Sequence, residues 1–323
     1  HHNIAIREYA LKKGYSVSDY GIKPLRGKAQ NVKLKSQKYN EKLKIYDIPT
    51  EEKLYEILGM QWIPPELREG TGEINAALNH NLPKLVELSD IKADLQIHSD
   101  FDIETSHDVG ESSMQDLVVK ANELGYEYIA FTEHNPSRGK HNDKQIIDIL
   151  KRKKEKIQNV NNELRIKNYG LKKVFNSLEI DMLPTGKLPV SERGLELLDF
   201  GLVSIHSSFR QTRDEATNRV ITAMSHPKVK IFAHPTGRKL GKREGVELNW
   251  ENIFDFCKRK SKWLEINAEP MRLDLPDVLV KDAVKEGLKL TLGTDAHHIN
   301  GMDNMPFGVS VARRGWAEKG DIV

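Results

Sequence analysis

Residues 91–98 read Ile91-Lys-Ala-Asp-Leu-Gln-Ile-His98, a short apolar run that ends on an imidazole. From here the chain repeats one rhythm. Short strand-like runs occupy 93–97, 128–132, 173–180, 200–205, 229–233, 263–267 and 289–293. Helical patterns lie between them at 114–124, 144–165, 214–224, 250–260 and 275–286. Strands alternating with helices predict an α/β fold with a parallel sheet, and seven strands suit a closed barrel better than an open sheet. No glycine-rich phosphate loop or dinucleotide fingerprint follows the first strand.

Before residue 91 the pattern differs. The start, from His1 to Gly14, reads as an amphipathic helix with Ile4, Ile6, Ala10 and Leu11 as its stripe, and not as a secretory signal. Ser16 and Ser18 are candidate caps for a segment after it. Thr50 opens a further helix whose apolar face is Leu54, Ile57 and Leu58, ended by Gly59. The reading divides the chain into a small mixed helical and strand subdomain over 1–75, a linker over 76–91 and the barrel over 92–323.

Charge is uneven. Residues 1–50 hold eleven Lys or Arg against four Asp or Glu, a net +7, so the remainder carries −4 of the overall +3. A basic head on an acidic body points to a polyanionic partner. The run Lys151-Arg-Lys-Lys-Glu-Lys156 is expected to be a solvated helix face. Cys257 is the sole cysteine, which excludes an intrachain disulfide and a thiolate metal cluster and suits a reducing cytoplasm. No apolar run approaches the length of a membrane span.

The chemistry lies at the strand ends. Of twelve histidines, nine fall between Asp94 and His298. The first strand ends in Gln96 and His98, the second in Glu133-His134. The third carries Glu179, the fourth and fifth end in His206 and His234, and the seventh ends in Asp295 and His297. In a parallel barrel these ends converge on one face. Core packing does not explain six such ends, because each buried polar group needs its own partner. Imidazole with carboxylate and no thiolate suits Zn²⁺, Mn²⁺ or Fe²⁺. The set exceeds what one ion can hold, so two or three are expected, with Glu179 a natural bridge. Ions about 3.5–4 Å apart activate water and stabilise both oxygens of a phosphoryl transfer.

The motifs Asp94-Leu-Gln-Ile-His98, Phe131-Thr-Glu-His134, Leu178-Glu-Ile-Asp181, Val203-Ser-Ile-His-Ser-Ser-Phe209, Ala233-His-Pro-Thr-Gly-Arg238 and Gly293-Thr-Asp-Ala-His297 resemble, in order, the PHP (polymerase and histidinol phosphatase) domain. The version they resemble is the one at the C-terminus of bacterial and archaeal family X DNA polymerases, and Val311-Ala-Arg-Arg-Gly-Trp316 is similar to that family's terminal segment. His2-Asn-Ile-Ala-Ile-Arg7, Gly14, Asp19-Tyr-Gly21 and Trp62-Ile-Pro-Pro-Glu-Leu-Arg68 resemble the polymerase thumb. The resemblance implies a distorted (β/α)7 PHP-type barrel preceded by a thumb, with the fingers, the palm and their carboxylate triad upstream of this sequence, so that the segment itself does not polymerise DNA.

It also implies ligands. His98, Glu179 and Asp295 form one set, with Gln96 where many PHP domains have a histidine. Glu179, His206 and His234 form a second set. His134 and His297 form a third, with His107 or Asp108, between which the longer loop over 99–110 does not decide. A glutamine amide is a poor ligand for a borderline-soft ion. His98, Glu179 and Asp295 are expected at the chemistry, and Arg210 and Arg238 are candidate phosphate clamps. His141, His226 and His298 lie off the pattern.

Implied by the resemblance is a metal-dependent 3′–5′ exonuclease module of a DNA repair polymerase, with 3′-phosphatase or abasic-site cleavage as related activities. Its partners would be DNA, held through the basic head by backbone phosphates, and the upstream palm and fingers. The competing readings are a small-molecule phosphomonoesterase of the histidinol-phosphatase type, disfavoured by the basic appendage, and a catalytically silent DNA-binding scaffold, favoured only by Gln96.

Overall fold

A computed structural model of the chain describes residues 1–25, 39–40, 45–167 and 169–323. It divides into two compact units, His1–Lys84 and Leu85–Val323. The stretch expected as a linker is shared between them. Residues 76–78 belong to a helix of the first unit, while Leu85 bridges Glu318 and the Val86 amide donates to the Ala317 carbonyl in the second.

In the first unit, helix α1 (His2–Lys12) precedes a small antiparallel sheet of β1 (Tyr15–Ser18), β2 (Gly21–Pro24), β3 (Tyr39–Asn40) and β4 (Ile45–Tyr46), in the order β1-β2-β4-β3. Helices α2 (Glu51–Leu58) and α3 (Glu73–Leu78) follow. The face that α1 buries overlaps the expected one and is shifted from it. His2, Ile6 and Ala10 are buried at i, i+4 spacing, whereas Ile4 and Leu11 are exposed. The reason lies at His2, whose ring is hydrogen-bonded on both sides, by Nδ1 to Glu73 at 2.8 Å and by Nε2 to the Tyr55 hydroxyl at 2.9 Å. Ser16 and Ser18 cap nothing, because β1 replaces the expected helix; the Ser18 hydroxyl instead closes the turn to Gly21. Thr50 does cap α2, accepting from the Lys53 amide, and Gly59 ends it in the left-handed region. Of the basic head, Arg26, Lys28, Lys33, Lys35, Lys38, Lys42 and Lys44 lie outside the described residues.

The second unit contains β5 (Ala93–Ile97), α4 (Met114–Glu123), β6 (Tyr128–Phe131), α5 (Asp143–Lys167), β7 (Lys173–Asn176), β8 (Glu179–Asp181), α6 (Glu192–Leu195), β9 (Gly201–Ser204), α7 (Arg213–Met224), β10 (Val229–Phe232), α8 (Trp250–Lys260), β11 (Trp263–Asn267), α9 (Asp277–Lys285), β12 (Leu290–Gly293) and α10 (Met305–Arg314). Every pairing between these strands is parallel. They form sheets β5-β6-β7 and β8-β9-β10-β11-β12. Two parallel bridges, Ile97 to Ala296 and His134 to Glu179, join the sheets into a ring. β7 and β8 are one strand position broken at Ser177-Leu178, so the ring has the seven positions expected and is distorted at the third. No described helix is long and apolar enough to cross a membrane.

Side chains alternate across each strand, and this sorts the barrel into an apolar floor and a polar mouth. Leu95, Ala130, Leu202, Ile231 and Ala233 cluster inside, with Phe175 and Trp263 against them. Outward residues such as Ile129, Val203, Phe232, Leu264 and Leu292 meet the helices in the main core. On β9 the inward series Leu202, Ser204 continues at the same spacing to His206, and on β6 Ala130 continues to Thr132 and His134. β5 departs from strict alternation. A register irregularity between Asp94 and Ile97 lets Leu95 close the floor while the next residue, Gln96, faces the mouth. At Gly293 any side chain would collide with the Glu265 carboxylate and the Gln96 Cβ, so only glycine fits inside β12 there.

The charge run on α5 is not uniformly solvated. Lys153 is wholly buried. Its Nζ lies 2.5 Å from Glu133 Oε2 and donates to the carbonyls of Phe131 and Ser177, the ends of β6 and β7. Burial pushes the ammonium down, with Glu133 opposing it. Lys153→Met is expected to lower stability by about 3–5 kcal/mol, because it leaves a buried carboxylate unpaired. The double variant with Glu133→Gln should recover part of that loss. Denaturant unfolding measures both, and equal stability of Lys153→Met and the parent would refute the brace.

Candidate metal centre

Ten side chains singled out in the sequence come from six strand ends and one loop, and the structure brings them to one mouth. Glu179 is at its centre and is wholly buried. Its Oε1 lies 2.7 Å from His234 Nε2 and 3.2 Å from His206 Nε2. Its Oε2 lies 3.3 Å from His98 Nε2 and 3.7 Å from His134 Nδ1. His98 Nε2 is also 3.3 Å from Asp295 Oδ1. The His98 ring stacks on His297 at a centroid distance of 4.2 Å, and His107 stacks on His134 at 4.6 Å.

The backbone is bent to make this meeting possible. His234 follows β10 at φ +27° and Asp295 follows β12 at φ +56°. Left-handed conformations cost a non-glycine residue of the order of 1 kcal/mol or more and persist where surrounding structure holds them. The Asp295 amide donates to the Gln96 carbonyl at 2.9 Å, and the His234 amide donates to Glu265 Oε2 at 2.7 Å.

The two residues left open in the loop take different places. His107 Nε2 lies 2.7 Å from Asp181 Oδ2 and faces His134 and His206. Asp108 is exposed and stands 4.0 Å from His134 Nε2 and 3.9 Å from His297 Nε2. Gln96 acts as a donor within the cluster. Its amide nitrogen reaches Glu179 Oε2 at 3.0 Å and Asp295 Oδ1 at 3.4 Å, and its oxygen accepts from Asn267 at 3.3 Å.

The Arg210 and Arg238 side chains do not join the cluster. Arg210 is exposed. Arg238 turns its guanidinium to the carbonyls of Arg272 and Leu273. Lys239, Arg243 and Arg272 are the cations that line the cavity with the imidazoles. The off-pattern histidines are engaged elsewhere, His141 with Glu104, His226 with Glu192 and His298 with the Asn300 amide.

Asp181 is the site residue that the sequence reading passed over. Its carboxylate bridges His206 Nδ1 at 2.6 Å and His107 Nε2 at 2.7 Å. A signal existed, since Asp181 lies two residues beyond Glu179 on a strand and so on the same face. Arg272 carries no comparable signal, because it projects from an irregular loop.

Burial opposes ionisation of Glu179, yet His134, His234 and His206 hold it well below the usual carboxylate range. Burial opposes protonation of His98, but the Asp295 and Glu179 carboxylates near its Nε2 push it up to about 10. His206 is similarly pushed up to about 9 by Glu179 and Asp181 against its burial. Burial pushes His134 down to about 3.

Four buried ring nitrogens, His98 Nε2, His134 Nδ1, His234 Nδ1 and His297 Nε2, have no hydrogen-bond partner among the described residues. Buried unpaired nitrogens cost about 1–3 kcal/mol each, and their place among side chains that could share an ion fits a divalent cation. The sets whose donor atoms come together are His98, Glu179 and Asp295; Glu179, His206 and His234; His98, His134 and His297; and His107, His134, Asp181 and His206.

Residues 1–69 match the DNA polymerase beta thumb family. Over 322 residues the chain is 32% identical to the DNA polymerase/3′-5′ exonuclease PolX of Bacillus subtilis (strain 168), a match covering 100% of this chain and 51% of that protein. The chain thus spans about half the length of the curated relative it matches. Among solved structures, a histidinol phosphate phosphatase of Lactococcus lactis, in complex with zinc, L-histidinol and phosphate, is 19% identical, with a TM-score of 0.48 over 69% of this chain and 93% of that one. The Listeria monocytogenes protein hisK is 16% identical, with a TM-score of 0.49 over 65% and 97%.

If Asp181 sets the ring orientation of His206, Asp181→Asn should weaken zinc binding about 10–100-fold. Competition against a chromophoric chelator reads this directly. An affinity equal to that of the exposed control Asp303→Asn would exclude the role.

Proposed function

We propose that the second unit is a metal-dependent phosphoesterase that removes nucleotides from DNA 3′ ends as a 3′–5′ exonuclease. The observation that carries the chemistry is the convergence of six imidazoles and four carboxylates with four unpartnered ring nitrogens. The supports for a DNA substrate are the thumb match over residues 1–69 and the relative named as a 3′-5′ exonuclease.

Two or three divalent ions, zinc or manganese with iron as an alternative, would be held by His98, Glu179 and Asp295, by Glu179, His206 and His234, and by His134 and His297 with His107 or Asp108. Such ions polarise phosphoryl oxygens and activate water for an in-line displacement. The chain supplies placement. Glu179 contributes to two sets at once. Gln96 and Asn267 hold the carboxylates of Glu179 and Asp295 by amide donation, Asn267 reaching Asp295 Oδ2 at 3.3 Å. Asp181 fixes the His206 and His107 rings. The basic residues of the first 50 positions would meet duplex backbone through phosphates, without reading sequence. Palm and fingers upstream would complete the proposed context.

A 5′-labelled primer–template incubated with the chain and Mn²⁺ should give a ladder shortening from the 3′ end. Asp295→Ala should lower the rate at least about 100-fold, the scale of losing a group that orients catalytic machinery. An intact primer, with phosphate released from small monoesters, would replace the exonuclease reading by a metabolite phosphatase. Neither activity in a metal-loaded protein would leave a binding scaffold.

A further inference from the structure

The cavity that holds the imidazole cluster has a volume of about 190 Å³ and is lined also by three cations, Lys239, Arg243 and Arg272. We propose that these three cations form a preformed anion clamp that takes the non-bridging oxygens of the phosphate whose ester is hydrolysed. The inference rests on the phosphoesterase reading and adds to it the chain's own substrate-binding residues.

The turn after the His-Pro-Thr-Gly-Arg motif places two of them. The Lys239 amide donates to the Arg243 carbonyl at 2.9 Å, and the Arg243 amide returns the bond at 2.8 Å, so both side chains leave one tight turn. Arg243 is fixed further. Its Nε and Nη2 both donate to the Gly237 carbonyl, at 2.9 and 2.7 Å, and its guanidinium lies 4.0 Å over the Phe209 ring. Two nitrogens are spent on one carbonyl, and Nη1 makes neither bond. Gly237 sits at φ +65°, and a Cβ there would come within 3.3 Å of Phe209, so both its conformation and its lack of a side chain serve the stack.

Arg272 lines the same cavity from the loop between β11 and α9. Its Nε lies 3.2 Å from Asp295 Oδ2, while Nη1 is buried and has no hydrogen-bond partner among the described residues. Arg238, bonded to the Arg272 and Leu273 carbonyls, holds this loop in place. Burial and then the Arg272 charge push the Arg243 guanidinium below its usual range, so the two cations repel each other. A buried guanidinium nitrogen without an acceptor, beside a second cation fixed by an aromatic ring, leaves an anion as the missing partner. Phosphate oxygens fit the planar donor geometry of arginine.

The test is titration of the full chain with inorganic phosphate, followed by ³¹P NMR, for the parent, Arg243→Gln, Lys239→Gln, Arg272→Gln and the exposed helix control Arg259→Gln. Loss of a charge-assisted bond should weaken phosphate binding roughly 10-fold or more in Arg243→Gln and Arg272→Gln, with a smaller loss in Lys239→Gln and none in Arg259→Gln. In 3′-end hydrolysis, Arg243→Gln should raise KM in parallel with the phosphate Kd and change kcat less. Arg243 and Lys239 stand on a surface turn, so their variants report even if Arg272→Gln disturbs Asp295. Unchanged phosphate affinity in both Arg243→Gln and Arg272→Gln, or no phosphate binding by the parent, overturns the clamp. Active ester hydrolysis alongside either result would leave the phosphoesterase reading intact. Clamp-dependent phosphate binding without hydrolysis of any ester would instead sink that reading and keep the clamp.

Discussion

A carboxylate taken out of water is expensive unless positive charge or hydrogen-bond donors surround it. Glu179 is wholly buried, and four imidazoles from four different strand ends lie between 2.7 and 3.7 Å from its oxygens. Much of the second unit follows from that need. The β7–β8 position breaks just before Glu179, β10 and β12 end in left-handed residues, and Gln96 and Asp295 are drawn to the same point. The same Glu179 carboxylate raises the proton affinity of His98 and His206. With a cation the same geometry offers shared ligation through one carboxylate.

Beneath the mouth lies a second buried charge pair. Lys153 bonds to the carbonyls at the ends of β6 and β7 and pairs with Glu133, while the hydroxyl of Ser99, next to His98, donates to the other Glu133 oxygen at 2.5 Å. Three consecutive positions of the ring are thereby tied to α5 by polar contacts. The apolar floor of Leu95, Ala130, Leu202, Ile231 and Ala233 is small. Side-chain bonding therefore does part of the positioning that packing does in a wider core.

The cations that line the cavity have a different origin from the imidazoles. The imidazoles stand at strand ends, where alternation dictates their direction. Lys239, Arg243 and Arg272 come from loops and owe their direction to carbonyls, an aromatic ring and a carboxylate. The same geometry demotes the sequence candidate Arg238 to a supporting role one step behind Arg272.

The sequence by itself determined the seven strand positions, the direction of most inward side chains and the residues that would meet at the mouth, because all three follow from local periodicity and strand-end chemistry. Asp181 was legible by the same rule, two residues beyond Glu179. Other features depended on tertiary structure, because they turn on which partner a side chain finds across the fold. Lys153 looked like one of several solvated lysines until two carbonyls and Glu133 met it. The buried face of α1 rotated because Glu73 and Tyr55 satisfy His2. Gln96 became an amide donor, and His107 paired with Asp181 while Asp108 stayed exposed near His134 and His297. Arg272 reaches the cavity on a loop whose path no local pattern encodes.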